Sequence, residues 1–187
     1  MVKEDAITPM PQNTVIYDIE TTNLTANYGI ILCAVIKPLR LPPKVFRLDQ
    51  FKAKIRDEDK ELVRALISEL EKYDFVITYN GIKFDNKYIN TRALYHRLEP
   101  LGEKLQIDML TTARRVLRTN NKRLDTIAKF FDLEEQKTPI DMKFWRWAML
   151  GDKEAMDQVV EHCIQDVKVL ESVYDTLGRF VKSVRKQ

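Results

Sequence analysis

The stretch Val15-Ile16-Tyr17-Asp18-Ile19-Glu20-Thr21-Thr22 decides how the rest of the chain is read. Its β-branched and aromatic residues, with no glycine or proline among them, predict a strand over residues 14–20. Side chains two apart on a strand share a face, so Asp18 and Glu20 project to one side while Val15, Tyr17 and Ile19 project to the other. Two carboxylates aimed at one spot repel each other and require a cation, a proton on one of them, or open water. A solvated strand end meets that requirement as well as a metal does, and the choice turns on acids further along the chain.

Outward from this strand, residues 21–29 form a polar connection, and Gly29 opens a second strand over 30–37, apolar enough to be buried on both faces. Pro38, Pro42 and Pro43 interrupt it, and 44–48 is the third strand of an antiparallel meander. From about residue 57 the period becomes helical, with Leu62, Val63, Leu66, Ile67 and Leu70 on one stripe. A short strand over 74–79 ends at Asn80-Gly81, a helix follows over 85–98, and 105–107 leaves room for one more short strand. Helices are predicted over 110–117, 124–131, 143–150 and 153–181, separated in part by Pro139 and Gly151-Asp152. A meander followed by alternating strands and helices implies an α/β fold, a mixed sheet flanked by helices. Residues 1–12, with Pro9 and Pro11, read as a loose lead-in to a single domain over 13–187.

Composition excludes several classes. The 187 residues suffice for one well-buried core, and 44% hydrophobic with 32% charged residues describes a soluble globular chain. No stretch approaches the roughly 20 apolar residues of a membrane span, and no apolar signal region follows the N-terminus, so a cytoplasmic protein is expected. Cys33 and Cys163 lie in apolar surroundings and suggest core positions rather than a disulfide. Two histidines and two cysteines do not make a four-ligand zinc site, and the five glycines build neither a phosphate loop nor a dinucleotide fingerprint. Trp145 and Trp147 offer either stacking surfaces for bases or packing against the sheet, the latter being expected in a helix. The net charge of +3 is small, but Arg114, Arg115, Arg118, Lys122 and Arg123 crowd together, and Lys182, Arg185 and Lys186 end the chain. Such clusters either follow a phosphate backbone or form a solvated face.

Two further acids stand out. Asp85, in Thr78-Tyr79-Asn80-Gly81-Ile82-Lys83-Phe84-Asp85, falls where a strand turns into a helix, a place where ligand sites collect in α/β sheets. An N-cap role accounts for it equally. On the last helix, at about 100° per residue from His162, the apolar residues Val159, Cys163, Leu170, Val173, Tyr174 and Leu177 span about 20° to 120°. Glu161, Glu171 and Asp175 lie far round, whereas Asp166 falls at about 40°, inside the apolar arc and one turn from His162. A buried carboxylate needs a partner, so Asp166 is either in a structural salt bridge or in a cleft.

Taken in order, Asp-x-Glu on the first strand, Asn-x-x-x-Phe-Asp at a corner and His-x-x-x-Asp on the last helix resemble the DEDD superfamily of 3′-to-5′ exonucleases, a branch of the ribonuclease H-like fold. The likeness covers nearly the whole chain and is strongest to the exonuclease domains of family B DNA polymerases and related stand-alone nucleases. There the last motif reads Tyr-x-x-x-Asp; here His162 stands in the tyrosine's place, with the tyrosine branch's spacing. The resemblance implies that Asp18, Glu20, Asp85 and Asp166 collect two divalent metals, Mg²⁺ or Mn²⁺, for in-line hydrolysis of a phosphodiester. It implies that His162 orients or deprotonates water, a task suited to an imidazole, the alternative being a polar filler at the edge of the core. It also implies that Thr21 and Leu24 hold and wedge the terminal nucleotide, with Asn80 shaping the site. The expected partner is a single-stranded 3′ end of DNA or RNA, with no membrane and room for a polymerase or helicase beside it. A ribonuclease H-like nuclease that cuts internally or at structured junctions, and a catalytically silent nucleic-acid-binding module, are the alternative readings.

Overall fold

In the computed structural model β1 (Thr14–Thr21) occupies the middle of a mixed sheet ordered β3-β2-β1-β4-β5-β6, within the described residues 13–51, 58–182 and 184–186. The lead-in expected over 1–12 lies outside the described residues. β2 (Ile31–Pro38) and β3 (Lys44–Arg47) complete the antiparallel meander. Ile31 to Ile36 are without solvent exposure, as a strand covered on both faces requires. β4 (Phe75–Thr78) runs parallel to β1, and β5 (Leu105–Asp108) parallel to β4. The carboxyl ends of β1, β4 and β5 therefore share one edge, where α/β sheets form their ligand crevice.

α1 (Lys60–Leu70) and α2 (Asp85–Tyr95) cover the Tyr17 face, and the Tyr17 hydroxyl donates to Asn86 Oδ1 of α2. The long helix α6 (Lys153–Leu177) crosses the Asp18 face, with α3 (Met109–Val116), α4 (Leu124–Phe130) and α5 (Lys143–Met149) packed on it. Asp152 caps α6 by accepting the Ala155 amide at 2.9 Å. The acids on its far side pair outward, Glu171 with Lys37 and Asp175 with Arg40, each at 2.5 Å.

Three details depart from the sequence reading. α2 stops at Tyr95 because Arg97 turns left-handed at φ 57° and the Leu98 amide folds back onto the Ala93 carbonyl at 2.9 Å. α6 gives way at Gly178 to a 3₁₀ turn, Gly178–Phe180. A short strand, β6 (Arg185–Lys186), then pairs antiparallel with β5 and extends the sheet beyond the expected five strands.

A buried polar strut holds the Tyr17 face. Asp59, fully buried at the cap of α1, accepts Arg92 Nη2 at 2.7 Å, the Ile31 amide at 2.9 Å and contacts His96 Nε2 at 2.6 Å. Arg92 also donates to the Ala26 carbonyl at 3.2 Å, fixing the connection between β1 and β2.

Candidate active site

β1 delivers Asp18 and Glu20 to the α6 face at its carboxyl end, and the pairing with β2 slips between Glu20 and Thr21. Such irregularities bend a strand and re-aim its side chains. Beneath them, Cys163 of α6 donates its thiol to Asp18, 3.5 Å from Oδ2 and 3.6 Å from the carbonyl. The cysteine is buried, as expected, and touches the acids as well as the core. Trp145 of α5 packs on the core, donates its indole N–H to Glu20 Oε2 at 2.9 Å and meets the His162 ring edge-on at 5.8 Å. Trp147 does not pack against the sheet: it is 44% exposed, edge-on to Phe144 with Lys143 above.

α6 supplies His162 and Asp166 one turn apart on a shared face. Asp166 is both in a salt bridge and at a cleft. Its Oδ2 bonds the Lys137 ammonium and lies 4.0 Å from His162 Nε2, while its Oδ1 is buried with no partner among the described residues. His162 Nδ1 faces the Thr138 hydroxyl at 3.2 Å.

Two donor groups result, Asp18 with Glu20 and Cys163, and Glu20 with His162 and Asp166, the ligand atoms within each group lying within 4.8 Å of one another. Asp85 belongs to neither group among the described residues. It is the first residue of α2, with Phe84 at the cap position, and its carboxylate accepts its own amide and that of Ile19. Even so, of the charges raising the Asp18 pKa it is the strongest, ahead of Glu20 and Asp166.

Crowded, buried carboxylates resist ionisation. Burial, then Asp85, Glu20 and Asp166, push Asp18 well above the usual carboxylate range. Burial raises Glu20 to about 7, opposed by the Trp145 hydrogen bond, and burial raises Asp85 to about 7 against its two amide bonds. Burial also lowers the His162 pKa, so its imidazole is neutral at pH 7. Lys137 moves the other way: although burial works against its charge, Asp166, Asp18 and Glu20 together hold it protonated.

Of the expected substrate contacts, Thr21 donates its hydroxyl to the Asn23 carbonyl at 2.9 Å, and Leu24 stands 82% exposed on the connection after β1, not in the core. Asn80, left-handed at φ 73°, borders the same cleft as Asp18 and Asp166. That cleft, of about 830 Å³, runs on past Tyr79, Leu110 and Leu124 to Arg114, Lys122 and Arg123. None of these three cations forms an ion pair among the described residues. The basic cluster is thereby divided, since Arg115 turns away to the Phe180 carbonyl.

Lys137 and Asp108 escape the sequence reading. Lys137 lies in the stretch before Pro139, which is tethered by Gln165 of α6 donating to Glu135 Oε2 at 2.6 Å and to the Gln136 carbonyl at 3.0 Å. Asp108 ends β5, caps α3 through the Thr111 amide and accepts the Asn80 amide, both at 3.2 Å, so it fixes the corner that carries Asp85. Its only sequence signal is an acid at a predicted strand end, three residues before a threonine pair.

Comparison with known proteins gives this arrangement a family. The model of the RNase_H superfamily matches residues 15–178. A DNA polymerase of Methanocaldococcus jannaschii is 29% identical over an alignment of 132 residues that covers 59% of this chain and 8% of that protein. The family B DNA polymerase of the hyperthermophilic archaeon Pyrobaculum calidifontis shares the fold with a TM-score of 0.68 at 17% identity, over 88% of this chain and 24% of that one. The chain thus spans a quarter or less of the polymerases it matches. Members of the superfamily are typically nucleases and usually bind divalent metals. The described residues include no helix long and apolar enough to cross a membrane. By its sequence and by the order of its strands, this chain belongs to the RNase H superfamily and resembles the exonuclease domain of family B DNA polymerases.

Proposed function

We propose that this chain is a metal-dependent 3′-to-5′ exonuclease, hydrolysing phosphodiester bonds at the end of a single strand. The observation that carries the reading is the convergence of Asp18, Glu20 and Asp166 with His162 at the carboxyl edge of the sheet, opening into a cleft whose Arg114, Lys122 and Arg123 form no ion pair among the described residues. Their donor set fits a divalent metal. It is dominated by carboxylate oxygens, which hard cations prefer, and Asp166 Oδ1 is buried without a hydrogen-bond partner among the described residues. Lys137 supplies the positive charge that these acids demand of their surroundings.

Asp18, Glu20 and Asp166 would hold the metals, with Asp85 adding its charge behind Asp18. Bound there, Mg²⁺ or Mn²⁺ supplies Lewis-acid polarisation of the phosphodiester and a more acidic water. The chain's own residues do the rest. His162 brings a neutral imidazole to the reacting centre, and Trp145 holds Glu20 in one orientation. Arg114, Lys122 and Arg123 offer charge to the phosphates of the strand. Thr21 and Leu24 flank the terminal nucleotide, Leu24 as an exposed apolar wedge, and Asn80 borders its phosphate. A DNA polymerase or a helicase is a suitable companion, since the polymerases matched above extend far beyond this chain's length.

An end-labelled oligonucleotide incubated with Mg²⁺ or Mn²⁺ tests the reading. A ladder shortening from the 3′ end is expected. Internal fragments would favour an endonuclease, and an intact, bound strand a silent module. Asp18→Asn and Asp166→Asn should each abolish hydrolysis while retaining the native circular dichroism; full activity in either shows the site to be misassigned.

A further inference from the structure

We infer that His162 is a metal ligand: its Nε2, with one oxygen each from Glu20 and Asp166, forms a donor set suited to a first-row transition cation in place of one Mg²⁺. The inference rests on the metal-dependent reading above but does not require hydrolysis. Glu20, His162 and Asp166 present ligand atoms all within 4.8 Å of one another. His162 and Asp166 do so from successive turns of α6, a rigid support that keeps both donors on one face.

The imidazole is held the way ligating imidazoles are held. Nδ1 lies 3.2 Å from the Thr138 hydroxyl, which can accept the hydrogen of that nitrogen. Nε2 faces Asp166, 4.0 Å from Oδ2. Orientation by an acceptor on the far nitrogen is the usual outer support of a metal-bound histidine. Trp145 completes the frame, packing edge-on against the ring and engaging only Oε2 of Glu20, so that Oε1 is not used by this bond.

Asp166 gives an independent sign that a cation belongs here. It is 8% exposed, its Oδ1 is buried, and no described residue meets that oxygen. A buried carboxylate oxygen left without a partner is costly. Lys137 neutralises Oδ2 and leaves Oδ1 unmet. Imidazole nitrogen is a poor donor to Mg²⁺ and a good one to borderline cations such as Co²⁺ and Zn²⁺, so replacing an all-oxygen set by two oxygens and a nitrogen shifts preference toward them.

The two histidines of the chain make a direct test possible, because His96 is locked against Asp59 and serves as an internal reference. In the full chain, labelled with ¹⁵N at the imidazoles and free of nucleic acid, saturating Zn²⁺ is expected to move the His162 Nε2 resonance to the metal-bound position. The His96 nitrogens should stay where they are. By calorimetry, His162→Phe should weaken Co²⁺ binding about 10- to 100-fold, the scale of losses at metal-site supports, while sparing Mg²⁺. A His162 resonance unmoved under saturating Zn²⁺ overturns the inference, as does an equal loss of Co²⁺ and Mg²⁺ binding in the variant. Should His162→Phe fail to fold, the wild-type resonances decide alone. Zn²⁺ bound through His162 in a chain that cleaves no strand would retire the nuclease reading and uphold the ligand, and cleavage with a silent His162 would do the reverse.

Discussion

Glu20 and Asp85 are two of the acids whose protons should shape the stability of the metal-free chain. Each has a pKa of about 7 in the folded state, whereas unfolded Glu and Asp titrate near ~4.3 and ~3.9. Between those limits the native state binds more protons than the unfolded one, so stability is greatest where both acids are protonated and falls as pH rises through about 7. In the presence of a chelator, the melting temperature should therefore be lower at about pH 8 than at about pH 6. Added divalent cation should recover it mainly at the higher pH, since metal binding requires the deprotonated acids. Equal melting temperatures across that range would show that the acids are solvated. Trp145 refines the point, because its hydrogen bond lowers the Glu20 pKa. Trp145→Phe should raise that pKa further and move the acid limb of the pH-rate profile to higher pH; a limb that stays in place would reduce the indole to packing.

Among the elements, α1 and α2 are joined by Asp59, Arg92 and His96 as well as by apolar contact. Arg92 is 6% exposed and Asp59 fully buried, so deleting the carboxylate strands a guanidinium away from water. Breaking a buried pair from one side costs about 3 to 5 kcal/mol, more than the pair contributes against a well-packed apolar substitute. Asp59→Ala should accordingly lose about 3 kcal/mol in urea denaturation. A loss below about 1 kcal/mol would mean that water reaches Arg92. This strut also marks the limit of what the sequence discloses. β1 and α6 are legible because periodicity separates their faces, which sets Asp18 beside Glu20 and puts Asp166 inside the apolar arc; the ordered motifs and their family resemblance, not the spacing alone, join these acids into one site. Asp85 is legible as a corner residue, though not as a carboxylate turned back to the Ile19 amide. Lys137, Asp108 and the Asp59 strut are not legible, since each depends on a side chain meeting a partner distant in sequence from a loop or an element end. In such places no period exists to mark which way a residue points. β6 is invisible for a related reason: two basic residues form a strand only because β5 offers them an edge.

At the scale of the whole molecule, a net charge of +3 conceals a separation of charge that the fold creates. Acids gather at the end of β1, and Arg114, Lys122 and Arg123 line the cleft leading away from them. Two other members of the basic clusters are engaged elsewhere, Arg115 with the Phe180 carbonyl and Lys186 with Glu103 at 2.5 Å. If phosphates of a bound strand lie along the cleft, each cation that meets one releases condensed counterions, and affinity falls with salt by about 0.7 in logarithmic slope per contact for a single strand. Replacing Arg114, Lys122 and Arg123 together by alanine should flatten that slope by about 2 and weaken binding evenly across sequences. Arg115→Ala, which removes an adjacent charge facing elsewhere, should leave the slope unchanged. Fluorescence anisotropy of a labelled oligonucleotide over a salt series measures both, in an Asp18→Asn background so that the strand persists. Identical slopes for the triple variant and its parent would mean that the strand takes another path to the acids.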